Sequence, residues 1–222
     1  MNIYDILGPV MVGPSSSHTA GAVRIGRITQ KLLAGIPAHA EITLHGSFAA
    51  TGVGHGTDKA LLAGLLGMEP DDIRIPDSEE LAEKKGMKYH FHTKNIRGAH
   101  PNTALLQVKG QDGKELKIQA SSLGGGRIMV NYIDDIRVDF TGEQPTLIVH
   151  NHDEPGHVAE VSKVLFQSGI NIATMALNRS SRGGRAVLVT ETDTDIPHSV
   201  VEHLRTCTGI LKVTCINLGE DF

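Results

Sequence analysis

The sequence predicts an α+β protein: a mixed α/β domain followed by a ferredoxin-like βαββαβ domain. Three observations carry this. Apolar residues recur at helical spacing in some segments and alternate in others. The stretch TGEQP at 141–145 interrupts both patterns with turn-forming residues and no apolar periodicity. Beyond it, residues 146–222 follow the order strand, helix, strand, strand, helix, strand. The expected layout is therefore a first domain over 1–140, a linker over 141–145 and a second domain over 146–222.

In the first domain, AGAVRIGRITQKLL at 20–33 places Ile25, Ile28 and Leu32 on one helical stripe. EITLHGSF at 41–48 alternates, with Ile42 and Leu44 on one face, and reads as a strand. TGVGHGTD at 51–58 reads as a loop, KALLAGLLG at 59–67 as a helix, and the proline- and acid-rich 69–77 as a surface connection. A short polar helix is expected at 78–85, then strands at 87–93, 103–109, 115–121 and 127–139. QDGK at 111–114 has the chemistry of a hairpin turn.

In the second domain, TLIVHN is a strand. PGHVAEVSKVLFQSG is a helix with Pro155 early and Gly169 as its stop, and Val158, Val161, Leu165 and Phe166 form its stripe. INIATMALNRS and RAVLVTETD are strands joined by the turn SRGG at 181–184. PHSVVEHLRTCTG is a helix and ILKVTCINL a last strand.

Composition narrows the function classes. The chain has 222 residues, 40% of them hydrophobic but 4% aromatic, so aliphatic side chains must fill the core. The formal net charge of −4 comes from interspersed acids and bases. No basic stripe marks a nucleic-acid face, and no apolar run is long enough for a membrane span. The start, MNIYDILGPV, lacks the layout of a secretory leader. Two cysteines, Cys207 and Cys215, fit a reducing compartment, and a cytoplasmic location is expected. Two thiols cannot hold a four-cysteine iron–sulfur cluster.

The chemistry-bearing residues cluster. GPSSSHT at 13–19 sets Ser15, Ser16, Ser17, His18 and Thr19 at the mouth of the first helix. Free N–H groups and the helix dipole make such a mouth a seat for a carboxylate, and His18 can exchange a proton near neutral pH. Spacing leaves a plainer reading open, in which one serine caps the helix and the rest face water. In Gly54-His55-Gly56-Thr57-Asp58, flanking glycines expose the imidazole. Here His55 can act as an acid or base, and Asp58 can orient it or cap the following helix. A glycine-rich turn with an exposed histidine is the alternative. In HPNT at 100–103, Asn102 can bond a carboxylate or ammonium, or simply form a turn. SLGGG at 122–126 offers backbone donors for an anion, or a hinge. His90 and His92 share a strand face without an evident third metal ligand, so no metal site is assigned. His39, His157, His198 and His203 read as surface residues.

Taken together, GPSSSHT, HGSFAATGVGHGTD at 45–58, HPNT and SLGGG resemble the beta chain of the bacterial iron–sulfur L-serine dehydratase, over essentially the whole chain. The last part, with D-E-P-G opening a helix and I-N-I-A-T-M-A-L beginning a strand, resembles an ACT domain, a small regulatory module that binds amino acids. The resemblance implies a substrate-binding-like first domain and an L-serine ammonia-lyase made of two chains. Such an enzyme makes pyruvate and ammonia without pyridoxal phosphate. It implies a [4Fe-4S] cluster with its ligands on a cysteine-rich partner alpha chain. It also implies His55 as the proton-transfer residue, His18 as a catalytic substrate contact, and Ser15, Ser16, Ser17, Thr19, Asp58 and Asn102 as substrate contacts. In the ACT-like part it implies Asn151, Asp153 and Asn171 as regulatory amino-acid contacts, commonly between two copies, with self-association through that part. A non-catalytic amino-acid sensor is the rival reading. The first part also resembles the allosteric substrate-binding domain of some phosphoglycerate dehydrogenases. A mononuclear metal hydrolase built on His90 and His92 lacks a ligand framework.

Overall fold

A computed structural model describes residues 10–218, and the chain divides into two compact units between Asp134 and Asp135. Residues 1–9, where a leader would lie, fall outside the described residues.

In the first unit, a wide π turn, Ser16–Ala20, leads directly into α1, Gly21–Leu33. Strand β1, Pro37–Leu44, is followed by α2, Gly46–His55, and α3, Thr57–Leu65. After a 3₁₀ turn come α4, Ser78–Lys84, and strands β2, Lys88–Thr93, β3, Thr103–Gly110, β4, Glu115–Gly124, and β5, Arg127–Ile133. The strand order here is β2-β1-β3-β4-β5. β1 runs parallel to β2, and the other pairs are antiparallel. Ala40, Ile42 and Leu44 of β1, Leu106 of β3 and Ile118 of β4 are buried, as are Ile25, Ile28 and Leu32 of α1 and Leu61, Leu62 and Leu65 of α3.

α1 and α3 approach unusually closely, and two glycines permit it. A methyl group at Gly26 would lie 2.3 Å from the Leu61 carbonyl oxygen, and one at Gly64 would lie 2.0 Å from that of Val23. The contact is therefore backbone against backbone, and it fixes the distance between the two helices where they cross.

Three expectations are corrected. The strand foreseen at 41–48 runs from Pro37 to Leu44 instead. The stretch foreseen as the end of that strand plus a loop is helix α2. Its start is held by Pro101, whose carbonyl accepts from the N–H of Ser47 at 2.8 Å and of Phe48 at 3.5 Å, while the Phe48 side chain is fully buried. The strand foreseen at 127–139 breaks at Asp134-Asp135, both at positive φ (49° and 67°), into β5 and β6, Ile136–Phe140.

In the second unit, β7, Thr146–His152, α5, His157–Gln167, β8, Ile172–Arg179, β9, Arg185–Thr192, α6, His198–Arg205, and β10, Ile210–Ile216, realise the βαββαβ order. The sheet order is β10-β7-β9-β8. Leu147, Val149 and Leu188 pack against Val161, Leu165, Val200 and Leu204 of the two helices. Residues 141–145, the foreseen linker, carry no strand or helix. No helix among the described residues is long and apolar enough to cross a membrane.

Candidate active site

The mouth of α1 is more than a cap. Ser15 stands in extended conformation before the π turn, and its Oγ accepts the backbone N–H of His18 at 3.1 Å. One wide turn at a helix start is a local departure often met at functional sites. It carries His18 inward, where the ring is buried. Nδ1 lies 3.0 Å from Ser17 Oγ and 3.4 Å from Ser15 Oγ, and Nε2 lies 3.0 Å from Ser47 Oγ. The ring meets Phe48 edge-on, with centroids 5.3 Å apart.

His55 ends α2 and is exposed, and its ring centroid is 5.2 Å from that of His18. The two histidines that the sequence separates by a whole strand thus share one site. Burial first, then the charge of His55, hold the His18 pKa below the ordinary imidazole value, with the Ser47 backbone working in the opposite direction. His18 is therefore biased towards the neutral form, which can both give and accept a hydrogen bond.

The other expected site residues divide. The Ser16 carbonyl accepts the N–H of Gly21. Thr19 is buried, and its Oγ1 has no hydrogen-bond partner. Asp58 lies in the first turn of α3 and accepts the Lys59 N–H at 2.9 Å. The Asn102 carbonyl accepts the Ser122 N–H at 2.9 Å, and its own N–H is given to His100 Nδ1 at 3.2 Å. The HPNT turn is thereby stitched on one side to the start of α2, through Pro101, and on the other to the SLGGG segment. Gly124, Gly125 and Gly126, all at positive φ, make the turn between β4 and β5, and the Gly126 carbonyl accepts from Arg24 Nη1 at 3.0 Å. At Gly46, φ is 57° and a Cβ would lie 2.5 Å from the Pro101 oxygen, so glycine is needed to begin α2 where it stands.

Ser47 was not foreseen. Its only sequence signal is a hydroxyl two residues after His45, and the helix that aims it at His18 was itself hidden.

In the second unit, Asn151 is 1% exposed; its Nδ2 donates to the His152 carbonyl at 2.5 Å and its Oδ1 has no partner. Asp153 Oδ2 accepts from Gly183 N–H and from Arg179 Nη1, each at 2.9 Å, and that contact, the Gly183 N–H first, holds its carboxyl below the usual range. The SRGG turn is thus tied to the β7–α5 loop. Asn171 donates to Asp193 at 2.6 Å. It precedes Ile172, which pairs with Thr192, whereas His152 pairs with Arg185. At roughly 3.3 Å per residue, Asn171 stands about 25 Å along the sheet from Asn151 and Asp153. One copy of the chain does not bring these three together. His157, expected at the surface, is buried against Gly209, with Nε2 unpartnered.

The described residues do not fit an iron–sulfur cluster. Both cysteines lie in the second unit, where Cys207 Sγ donates to the His203 carbonyl and Cys215 Sγ to Asn217 Oδ1. Burial, then Glu160, pushes the Cys207 thiol up and away from the thiolate a cluster requires. On the first sheet, Glu41 takes His39 at 2.7 Å and His92 at 2.6 Å, so the histidine pair has a carboxylate neighbour. Among the described residues, however, no group of three or more His, Cys, Asp or Glu side chains is disposed to hold a metal ion.

Comparison with known proteins shows the family of the chain. Residues 2–88 match the family "Serine dehydratase beta chain", and residues 145–208 match "ACT domain". The chain is 37% identical over 215 residues to "Probable L-serine dehydratase, beta chain" of Bacillus subtilis, covering 97% of each. It is 38% identical over 198 residues to "L-serine dehydratase, beta chain" of Peptoniphilus asaccharolyticus, covering 89% of each. A "D-3-phosphoglycerate dehydrogenase" of Methanocaldococcus jannaschii is 30% identical over 201 residues, but the match spans only 37% of that protein. The agreement runs almost end to end with the first two and covers only part of the third, so this chain belongs to the family of L-serine dehydratase beta chains and ends in an ACT domain.

Proposed function

We propose that this chain works as one subunit of a two-chain L-serine ammonia-lyase, and that the His18–His55 mouth is its share of the active site. The observation that carries the reading is the pairing of a buried, hydroxyl-held histidine with an exposed one 5.2 Å away, beside a helix mouth suited to a carboxylate. Dehydration of L-serine removes a proton from Cα and hydroxide from Cβ. The enamine left behind tautomerises and is hydrolysed to pyruvate and ammonium. Hydroxide leaves poorly without a proton donor or a Lewis acid.

His55, exposed at the end of α2, transfers the proton. His18 meets the substrate at Nδ1, where a substrate N–H or O–H takes the place of that of Ser17, while the hydroxyls of Ser15, Ser16, Ser17 and Thr19 and the Asn102 amide hold carboxylate and ammonium. Asp58 sets the start of α3 beside them. The [4Fe-4S] cluster belongs on a cysteine-rich alpha chain, because two protected thiols in the second unit cannot hold it.

In the second unit we propose an amino-acid site built from Asn151 and Asp153 of one copy and Asn171 of a second. β8 is an edge strand. Antiparallel pairing of two such edges sets the start of one β8 beside the end of the other, closing that gap. The test is anaerobic co-expression with a cysteine-rich partner. The complex should be brown and produce pyruvate from L-serine, and this chain alone should be colourless and inactive. Iron–sulfur absorbance from this chain alone, or a complex inert towards L-serine, would overturn the reading.

A further inference from the structure

The His18 imidazole has hydroxyl partners at both nitrogens, drawn from two elements 29 residues apart: Ser15 and Ser17 at Nδ1, Ser47 at Nε2. A neutral imidazole has one N–H and one bare nitrogen. One assignment runs the hydrogens in a single direction through the serines to the ring. Ser15 Oγ already accepts the backbone N–H of His18, so its own hydrogen is free to be given, and Ser17 Oγ is 3.3 Å away. Ser17 then gives its hydrogen to Nδ1. Nε2 carries the ring hydrogen, and Ser47 Oγ accepts it. In this assignment Ser15 and Ser17 donate along the chain and Ser47 accepts at its end. The reverse direction brings two donors to Ser15 Oγ and turns its own hydrogen out of the chain.

We propose that Ser47 is a positioning residue of the site: by accepting from Nε2–H it locks His18 in the Nε2–H tautomer and fixes the plane of the ring. Ser47 is well built for this. It is the second residue of α2, its N–H is anchored on Pro101, and its carbonyl accepts from Thr51 Oγ1 at 2.8 Å. Of the neighbouring groups, His55 favours the neutral ring by its charge. α2 brings His55. α1 brings Arg24, committed to Gly126, and α3 brings Asp58, turned to the Lys59 N–H. β4 brings only the neutral Ser121 and Ser122.

The consequence for turnover rests on the proposed function, but the lock itself does not. The experiment is therefore two-armed. In the ¹⁵N-labelled full chain, long-range ¹H–¹⁵N spectra at alkaline pH should show His18 as the Nε2–H tautomer, identified by its loss in His18→Gln. Ser47→Ala should populate both tautomers, and Ser47→Thr, which keeps the hydroxyl, should restore one. An Nδ1–H ring in the unaltered chain, or a Ser47→Ala spectrum identical to it, overturns the inference. In the two-chain enzyme, Ser47→Ala should lower kcat by roughly 10²-fold, the scale of a misplaced catalytic group, with a smaller change in KM and recovery in Ser47→Thr. A two-chain enzyme that makes no pyruvate overturns the functional reading instead, and the spectra still decide the role of Ser47.

Discussion

Each unit of this chain has a histidine at a helix mouth behind a run of polar residues, and the two mouths are finished to different degrees. At α1, His18 has a hydroxyl at each ring nitrogen and a neighbour ring in His55. At α5, His157 Nε2 and Asn151 Oδ1 are buried without partners, and Asp153 is spent on the SRGG turn. Buried polar groups are normally paired, and leaving one bare costs about 1–3 kcal/mol. The first mouth is preorganised around the His18 ring by its own chain, although Thr19 Oγ1 beside it is bare. The second has unmet bonding capacity that a ligand or a second copy can fill.

The comparison is broken most sharply at the first mouth. His55→Ala should lower turnover of the two-chain enzyme by about 10²–10⁴-fold, the usual worth of a general acid or base. Steady-state kinetics giving near-normal kcat would return His55 to the status of an exposed helix end. Next in size, His18→Ala should raise the L-serine concentration for half-saturation by roughly 10- to 150-fold, the range for one lost charge-assisted hydrogen bond. An unchanged saturation curve would reduce the mouth to a cap.

Stability gives two smaller effects. Gly64→Ala should cost about 1–3 kcal/mol through overpacking, seen as a lower melting temperature, because its methyl group would meet the backbone of Val23, Arg27 and Gly26. An unchanged melting temperature would mean that the helices part without strain. Acid should act through His18. Its folded pKa is depressed below the 6.5 of a free imidazole, so the unfolded chain binds the proton first. Stability is then full above that value and falls as pH drops through the window between it and the depressed pKa. The His18→Gln variant should show a flatter denaturant midpoint across that window.

The smallest effect belongs to the second mouth. L-serine should raise the melting temperature of the full chain by mass action and favour its dimer in sedimentation. Asn171→Ala should abolish the serine response but not folding. A serine response that survives in Asn171→Ala, or in a chain that stays monomeric, would show that the second mouth closes without a second copy.

What could be read from the sequence tracks what is local. Ile25, Ile28 and Leu32 announce α1 because burial along one stripe writes a period into the chain, and the βαββαβ order of the second unit is equally plain. α2 was invisible. GSFAATGVGH has glycines at 46, 52 and 54 and a single large apolar anchor in Phe48, so neither propensity nor period favours a helix. It forms because the Pro101 carbonyl, 53 residues from Phe48, receives its first N–H groups. The same non-local contact hid Ser47. His18 and His55 were legible as chemistry, but their proximity was not, since the turn and helix that join them are tertiary products. His157 misled because a histidine after Pro-Gly looks solvated, and nothing local shows Gly209 making room for its ring.

The glycine crossing of α1 and α3 sets a limit on repair. With Gly26 and Gly64 in contact, the spacing of the two helices where they cross is the thickness of bare backbone, a dimension no choice of core side chain can reproduce. A second substitution elsewhere in the core could restore the melting temperature of a Gly64→Ala chain. It could not bring the helix axes back together. Suppressors of such a lesson in stability should therefore come in two kinds: many that rescue yield of folded protein, and almost none that rescue turnover.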